Sequence, residues 1–246
     1  LESSICSDEY PFFEYYYVWI RIVSNDPGVR AFQTFYSPTS GEYGILLDKF
    51  QQQIEPRLHK LDALKSRIDT RKEKASNRTS RQWYHTTRAL KKKLSRDFRR
   101  HYGWTESAHY DAANFLLSKF DLVIQPWLHC SKLVPTSNRN ISSTIVRNML
   151  TMSHFKYRQR LEWASTRYPG RHVLVSEEPG TSKTCTNCGG WNANLGASDI
   201  YCCDKCNIQV GRDVVGARNN FFSEYGRAVS INWDGKSAWR SIKCGG

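Results

Sequence analysis

Four cysteines carry the clearest chemical signal in this chain. Cys185, Cys188, Cys203 and Cys206 follow the spacing C-x2-C-x14-C-x2-C. Each C-x2-C pair turns two thiolates toward one side of a tight turn, and two such pairs complete a tetrahedron around zinc. Four protein ligands close the shell, so this zinc is expected to be structural and not catalytic. Cys202 adjoins Cys203, but C-x3-C suits a knuckle less well. The same four residues as two disulfides would need an oxidising compartment. No secretory signal precedes them, and Cys6, Cys130, Cys202 and Cys244 are scattered, so a reducing, intracellular setting is expected, nuclear if the host is eukaryotic. The seven histidines form no H-x2-4-H or H-E-x2-H pair, and no Walker or dinucleotide glycine motif occurs. A histidine-based catalytic metal and a nucleotide cofactor are therefore not expected.

Charge is the second signal. The 246 residues hold 36 Lys+Arg against 23 Asp+Glu, a net charge of +13. Between Pro56 and Tyr102 there are 16 basic and 4 acidic residues, a net of +12, which leaves 20 against 19 and a net of +1 elsewhere. Such a block favours a polyanionic partner through counterion release. Lys91, Lys92, Lys93, Arg96, Arg99 and Arg100 are its densest part and the candidate nucleic-acid contacts. A solvated helix face would have the same composition. No apolar run approaches the ~20 residues of a membrane span. The hydrophobic content of 39% is enough for a packed core.

The elements that must position these groups follow from periodicity. Tyr15 to Val23 is aromatic and β-branched, a buried central strand, and runs into a turn at Asn25-Asp26-Pro27-Gly28. Arg30 to Tyr36 alternates as a second strand, and Tyr43 to Leu47 makes a short third. Leu58, Leu61, Leu64 and Ile68, then Leu90, Leu94 and Phe98, step at helical spacing around a break at Ser76 to Ser80, which reads as a basic helical hairpin. A separate helix is expected over Ser107 to Phe120, a fourth strand over Asp121 to Pro126, and one long helix over Ser142 to Thr166. A fifth strand follows at Arg171 to Ser176. The cysteine module occupies about Thr181 to Val210. A closing helix runs from Val214 to Tyr225, with Asp213 in its first turn, where a carboxylate suits the helix dipole. Three meander strands, helices, strand, helix, strand, insert and helix is the layout of an RNase H-like mixed sheet.

Three segments then read together. They are Asp26-Pro27-Gly28-Val29-Arg30, Glu178-Pro179-Gly180-Thr181-Ser182-Lys183-Thr184-Cys185-Thr186-Asn187-Cys188-Gly189, and Gly211-Arg212-Asp213-Val214-Val215-Gly216-Ala217-Arg218-Asn219. With Ile145 to His154, they resemble the RuvC nuclease half of the TnpB-like RNA-guided endonucleases, in particular the Fanzor branch, from about Val18 to about Tyr225. The resemblance divides the chain into residues 1–180 (first part of the nuclease domain, basic insert about 50–118), 181–210 (zinc ribbon) and 211–246 (closing helix and tail). The family's N-terminal half has no counterpart here. The chain begins at Leu1 and not at Met, and reads as a fragment of something longer.

The resemblance implies a transposon-associated DNA endonuclease with a carboxylate triad and catalytic Mg²⁺, partnered by DNA and a guide RNA. Asp26 is then the first-strand aspartate bridging both metals, and Asp213 the third-motif aspartate. TnpB-like proteins usually place a glutamate at the end of the fourth strand, where this chain has Gln125. The Fanzor branch moves that carboxylate to the next strand, and Glu178 matches the alternative, with Glu177 behind it. Each residue alone has a plainer role: Asp26 as a turn former, Asp213 as a first-turn helix residue, Glu178 as an exposed loop charge. The alternative function is a catalytically inactive, nucleic-acid-binding fragment of the same family. A guide-independent nuclease on the same fold is a third.

Overall fold

The computed structural model describes residues 20–74, 80–134, 142–177, 181–193, 195–196 and 198–232. Its centre is a five-stranded mixed sheet in the order β3-β2-β1-β4-β5. The strands are β1 Ile22–Asp26, β2 Gln33–Tyr36, β3 Tyr43–Leu46, β4 Leu122–Pro126 and β5 His172–Ser176. The meander β1-β2-β3 is antiparallel, whereas β4 and β5 join as parallel strands after helical crossovers. This is the predicted RNase H-like layout.

One face of the sheet is covered by α1 Phe50–Glu73, α2 Ser80–Lys119 and α5 His154–Ser165. Val23, Val123, Phe35, Leu116, Leu117 and Leu161 form its interior. At its centre Phe32 lies between two buried imidazoles, 5.2 Å from the His109 ring and 5.3 Å from the His154 ring, with Tyr157 edge-on at 4.8 Å. The opposite face carries α6 Arg212–Asn232, which packs on β1 and β2. No described helix is long and apolar enough to cross a membrane.

The structure departs from the periodicity reading in three places. The first strand is described from Ile22 and continues through Asn25 and Asp26; residues 1–19, which include most of the predicted strand, lie outside the described residues. Pairing of Asp26 with Thr34 across the ladder extends the strand into the first half of the expected turn. The hairpin's second arm and the predicted helix at Ser107 are one 40-residue α2, about 60 Å long at ~1.5 Å per residue. Gly103 costs such a helix ~1 kcal/mol relative to Ala. Burial of Ala108, Ala112, Ala113, Leu116 and Leu117 beyond it outweighs that cost. The predicted helix from Ser142 is instead α4 Ser143–Met152 and α5, broken at Ser153, whose φ is +53°. The Met152 carbonyl there accepts a 2.8 Å bond from His109 Nε2, a long-range contact that local periodicity does not encode.

Candidate metal centres and nucleic-acid interface

The cysteine module lies between β5 and α6, with its own hairpin of β6 Ile200–Cys202 and β7 Gln209–Gly211. The two knuckles repeat one backbone pattern. Cys185 N–H donates to the Gly190 carbonyl and Gly189 N–H returns to the Cys185 carbonyl; Cys203 and Ile208, then Asn207 and Cys203, do the same. The fourth residue after each leading cysteine has positive φ, Gly189 at +69° and Asn207 at +56°. Those left-handed residues turn each chain back, so both sulfurs of a pair face one point. All four Sγ atoms lie within 4.8 Å of one another, with contacts of 3.6 Å (Cys185–Cys206) and 3.5 Å (Cys188–Cys203). A tetrahedron of ~2.3 Å Zn–S bonds has edges of about 3.8 Å, so the donor set and its spacing fit zinc. Asn187 and the Ile208 amide hold the Cys206 thiol down to about 6, favouring the thiolate that a metal needs. Cys202, exposed beside them, is not in the cluster.

The ribbon is built into α6. Val215 of the helix shares a buried cluster with Cys185, Cys203, Tyr201 and Leu195. Asn219 Nδ2 donates 2.7 Å to the Thr184 carbonyl, and its neighbour Asn220 donates 2.9 Å to the Asn25 carbonyl of β1. Two adjacent amides thus tie α6 to the first knuckle and to the strand that ends in Asp26. Arg30, just past that strand, pairs with Asp199 of the ribbon.

Asp26 closes β1 on the α6 side of the sheet, half-buried. A β-carbon built on Gly216 would come within 2.8 Å of the Asp26 carboxyl carbon, so the carboxylate lies directly on the helix backbone. Asp213, three residues earlier, is in the first turn of α6. Burial pushes its carboxyl above the usual range; Arg212 and Arg30 pull it down, and Asp199 adds to the rise. Asp26 thus lies on α6 at Gly216 and Asp213 opens the same helix three residues earlier; carboxylates offer the hard oxygen donors that suit Mg²⁺. Among the described residues the cysteine cluster is the one group of three or more metal-ligating side chains. Gly216 lies in the third motif segment with no chemistry of its own; a glycine inside a helical pattern is the signal that marks it.

Strand parity decides where Gln125 points. β1 and β4 are parallel with Ser24 opposite Ile124, so Asn25 stands beside Gln125 and Asp26 beside Pro126. Successive side chains alternate faces, which puts Gln125 on the face away from Asp26. Its bonds agree. Gln125 is 2% exposed, accepts 2.9 Å from Asn25 Nδ2 and donates 3.2 Å to Gln33 Oε1. On β5, Ser176 pairs with Pro126 and so shares the Asp26 face. Glu177 follows the strand and is exposed, while Glu178 lies outside the described residues.

The basic block forms the α1–α2 hairpin. Lys92, Lys93, Arg96, Arg99 and Arg100 are exposed and Lys91 is half-buried. They do not share one face. Lys93 and Arg100 line a groove of about 630 Å³ between the helices, opposite Arg57 and Lys60 of α1. Asp97 is the acid in that lining. Burial and the Arg57 charge hold His101, at its edge, below the usual imidazole range. Arg57 and Lys60 belong to the charge block but not to the dense run that sequence analysis selected.

A mixed sheet in this strand order, backed by helices on both faces and with a four-cysteine ribbon before the last helix, is an RNase H-like fold. Comparison with known proteins agrees. A family profile described as Cas12f1-like, TNB domain, matches residues 154–220. The chain is 29% identical over 198 residues to TnpB-like protein L79 of Acanthamoeba polyphaga mimivirus, covering 79% of this chain and 35% of the relative. It is 28% identical over 195 residues to putative transposase R186 of the same virus (79% and 38%). Against putative transposase A625R of Paramecium bursaria Chlorella virus 1 it is 25% identical over 198 residues (80% and 42%). The chain thus spans about two fifths of the length of the curated relatives it matches. In fold it is similar to a chain of a CRISPR-Cas12f ternary complex (TM-score 0.57, 18% identity, 81% of this chain and 38% of that one). It is also similar to the mini-RNA-guided endonuclease CRISPR-Cas_phi3 (TM-score 0.55, 13% identity, 82% and 44%). The TnpB-like resemblance read from the motifs is borne out, and nothing in these matches separates the Fanzor branch from the others.

Proposed function

We propose that this chain is the nuclease portion of a transposon-associated, RNA-guided DNA endonuclease of the TnpB-like kind, with the rearranged carboxylate set of the Fanzor branch. The reading is supported by the Asp26 carboxylate lying against α6 at Gly216, three residues after Asp213 in the first turn of that helix, and by the cysteine cluster shaped for zinc. In this proposal Asp26, Asp213 and Glu178 hold two Mg²⁺ ions. When bound, those ions would supply an activated water and stabilise the leaving oxygen in phosphodiester hydrolysis. Asp26 is held for that duty by the α6 backbone at Gly216, and Asp213 by its place in the first helical turn. Glu178, two residues beyond Ser176, supplies the carboxylate that Gln125 does not.

The cysteine ribbon, with structural zinc, fixes α6 through Val215 and Asn219. The basic hairpin grips the sugar–phosphate backbone of the guide–target duplex, with little base preference, since base pairing supplies sequence choice in such systems. The domain division proposed is 1–180, 181–210 and 211–246, with the ribbon's core extending into α6 at Val215. In full-length protein loaded with guide RNA, Asp26→Ala should abolish Mg²⁺-dependent DNA cleavage while leaving nucleic-acid binding intact. Persistent cutting would overturn the assignment.

A further inference from the structure

Gln125, near the end of β4, is 2% exposed, and its surroundings are built for an amide. Four buried side chains form a relay with a single donor direction. Asn25 Nδ2 donates to Gln125 Oε1 (2.9 Å), Gln125 Nε2 donates to Gln33 Oε1 (3.2 Å), and Gln33 Nε2 meets His154 Nδ1 (3.4 Å). Burial holds His154 down to about 4, so its ring is neutral, and in the tautomer with Nδ1 unprotonated it accepts from Gln33 Nε2. Gln125 Nε2 has a second acceptor in the Pro126 carbonyl at 3.3 Å.

A residue at this position must accept on one side and donate on the other. An ionised carboxylate accepts only, and would set its oxygen against both Gln33 Oε1 and the Pro126 carbonyl. The cleft beside this side chain is lined by two ionisable groups, His154 and Arg158 of α5.

The relay ends at Asn25, the residue before Asp26. Asn25 is held from both faces of the sheet: by Gln125 through its side chain, and by Asn220 of α6 through its carbonyl. Asn220 is one helical turn beyond Gly216, on which the Asp26 carboxylate lies. Fixing the Asn25 peptide therefore fixes where Asp26 stands on the helix.

We propose that Gln125 is a positioning residue for the carboxylate site: its amide, and no carboxylate, is what this fold requires there, because it closes the buried relay that holds Asn25, and with it Asp26, against α6. The inference rests on the proposed metal site at Asp26 and deepens it.

The test uses the full-length protein with two variants, Gln125→Met and Gln125→Glu, and two readouts: Mn²⁺ affinity by electron paramagnetic resonance, and Mg²⁺-dependent cleavage. Both variants should weaken Mn²⁺ binding at least tenfold at pH 8. A core variant away from the relay, Leu161→Ala, controls for general loss of stability and should leave affinity within twofold. Zinc content and a cooperative unfolding transition in each variant show that it has folded. Unchanged Mn²⁺ affinity in Gln125→Met would overturn the inference. So would tighter binding in Gln125→Glu, which would mean that the position faces the metals directly. Asp26→Ala separates the two claims. If it leaves cleavage intact, the proposed metal site at Asp26 fails; if it abolishes cleavage and the Gln125 variants bind Mn²⁺ normally, only the positioning role fails.

Discussion

The Asp26 carboxylate lies against the backbone of α6 at Gly216, where a β-carbon would sit 2.8 Å from its carboxyl carbon and 3.2 Å from Oδ1. A helix interior normally gains ~1 kcal/mol when Gly becomes Ala. Here the added methyl must displace the carboxylate. Gly216→Ala should therefore fold and keep its zinc, while metal-dependent cleavage falls roughly hundredfold, the scale of a 1 Å misplacement. Cleavage assays and a melting curve of one preparation check both halves.

Zinc removal should be felt at α6. Val215 shares its cluster with Cys185 and Cys203, and Asn219 bonds the Thr184 carbonyl. Cys203→Ser, or strong chelation, should lower the melting temperature and release hydrogen-exchange protection along the first turns of α6, because metal binding and folding of such a module are coupled. Protection unchanged after confirmed zinc loss would mean that α6 holds its place without the ribbon.

The two buried histidines make stability pH-dependent. Burial holds His109 down to about 3 and His154 down to about 4, against roughly 6.5 in the unfolded chain. Both rings are neutral when folded and take up a proton on unfolding in acid. Their contribution is complete above pH 6.5 and is lost as the pH falls toward 4 and then 3. Each should remove about 1.2 kcal/mol between pH 6 and 5, measurable by urea titration at several pH values.

Charge neutralisation should separate groove from outer face. Lys93→Gln with Arg100→Gln removes cations that line the groove with Arg57 and Lys60, whereas Lys92, Arg96 and Arg99 lie outside that lining. The slope of log affinity against log salt flattens by about 0.9 for each phosphate that a cation no longer neutralises. The groove pair should change that slope. If neutralising all six of Lys91, Lys92, Lys93, Arg96, Arg99 and Arg100 changes neither slope nor affinity, the hairpin is only a solvated surface.

Glu178 and Glu177 can be told apart by amide replacement. Glu178→Gln should drop cleavage to background and weaken Mn²⁺ binding, whereas Glu177→Gln, at an exposed position just past β5, should leave both near wild type. The reverse pattern would move the second carboxylate to Glu177.

Local chemistry is what the sequence by itself determined. The cysteine spacing named four ligands and the structure gathers them, because a knuckle is set by a few residues and by one left-handed position in each. The charge block named the α1–α2 hairpin, and alternation with helical stepping gave the strands and their order along the chain.

What tertiary structure alone decided is long-range. At the break at Ser153 the Met152 carbonyl is taken by His109, 43 residues away. The unbroken α2 depends on what its far half buries. The face on which Gln125 points is set by its register against β1, 100 residues earlier, and a shift of one residue would reverse it. The role of Gly216 is likewise invisible until α6 is laid across the end of β1. Periodicity reports which way a segment's own side chains turn; which partner waits on that side is settled when distant segments pack.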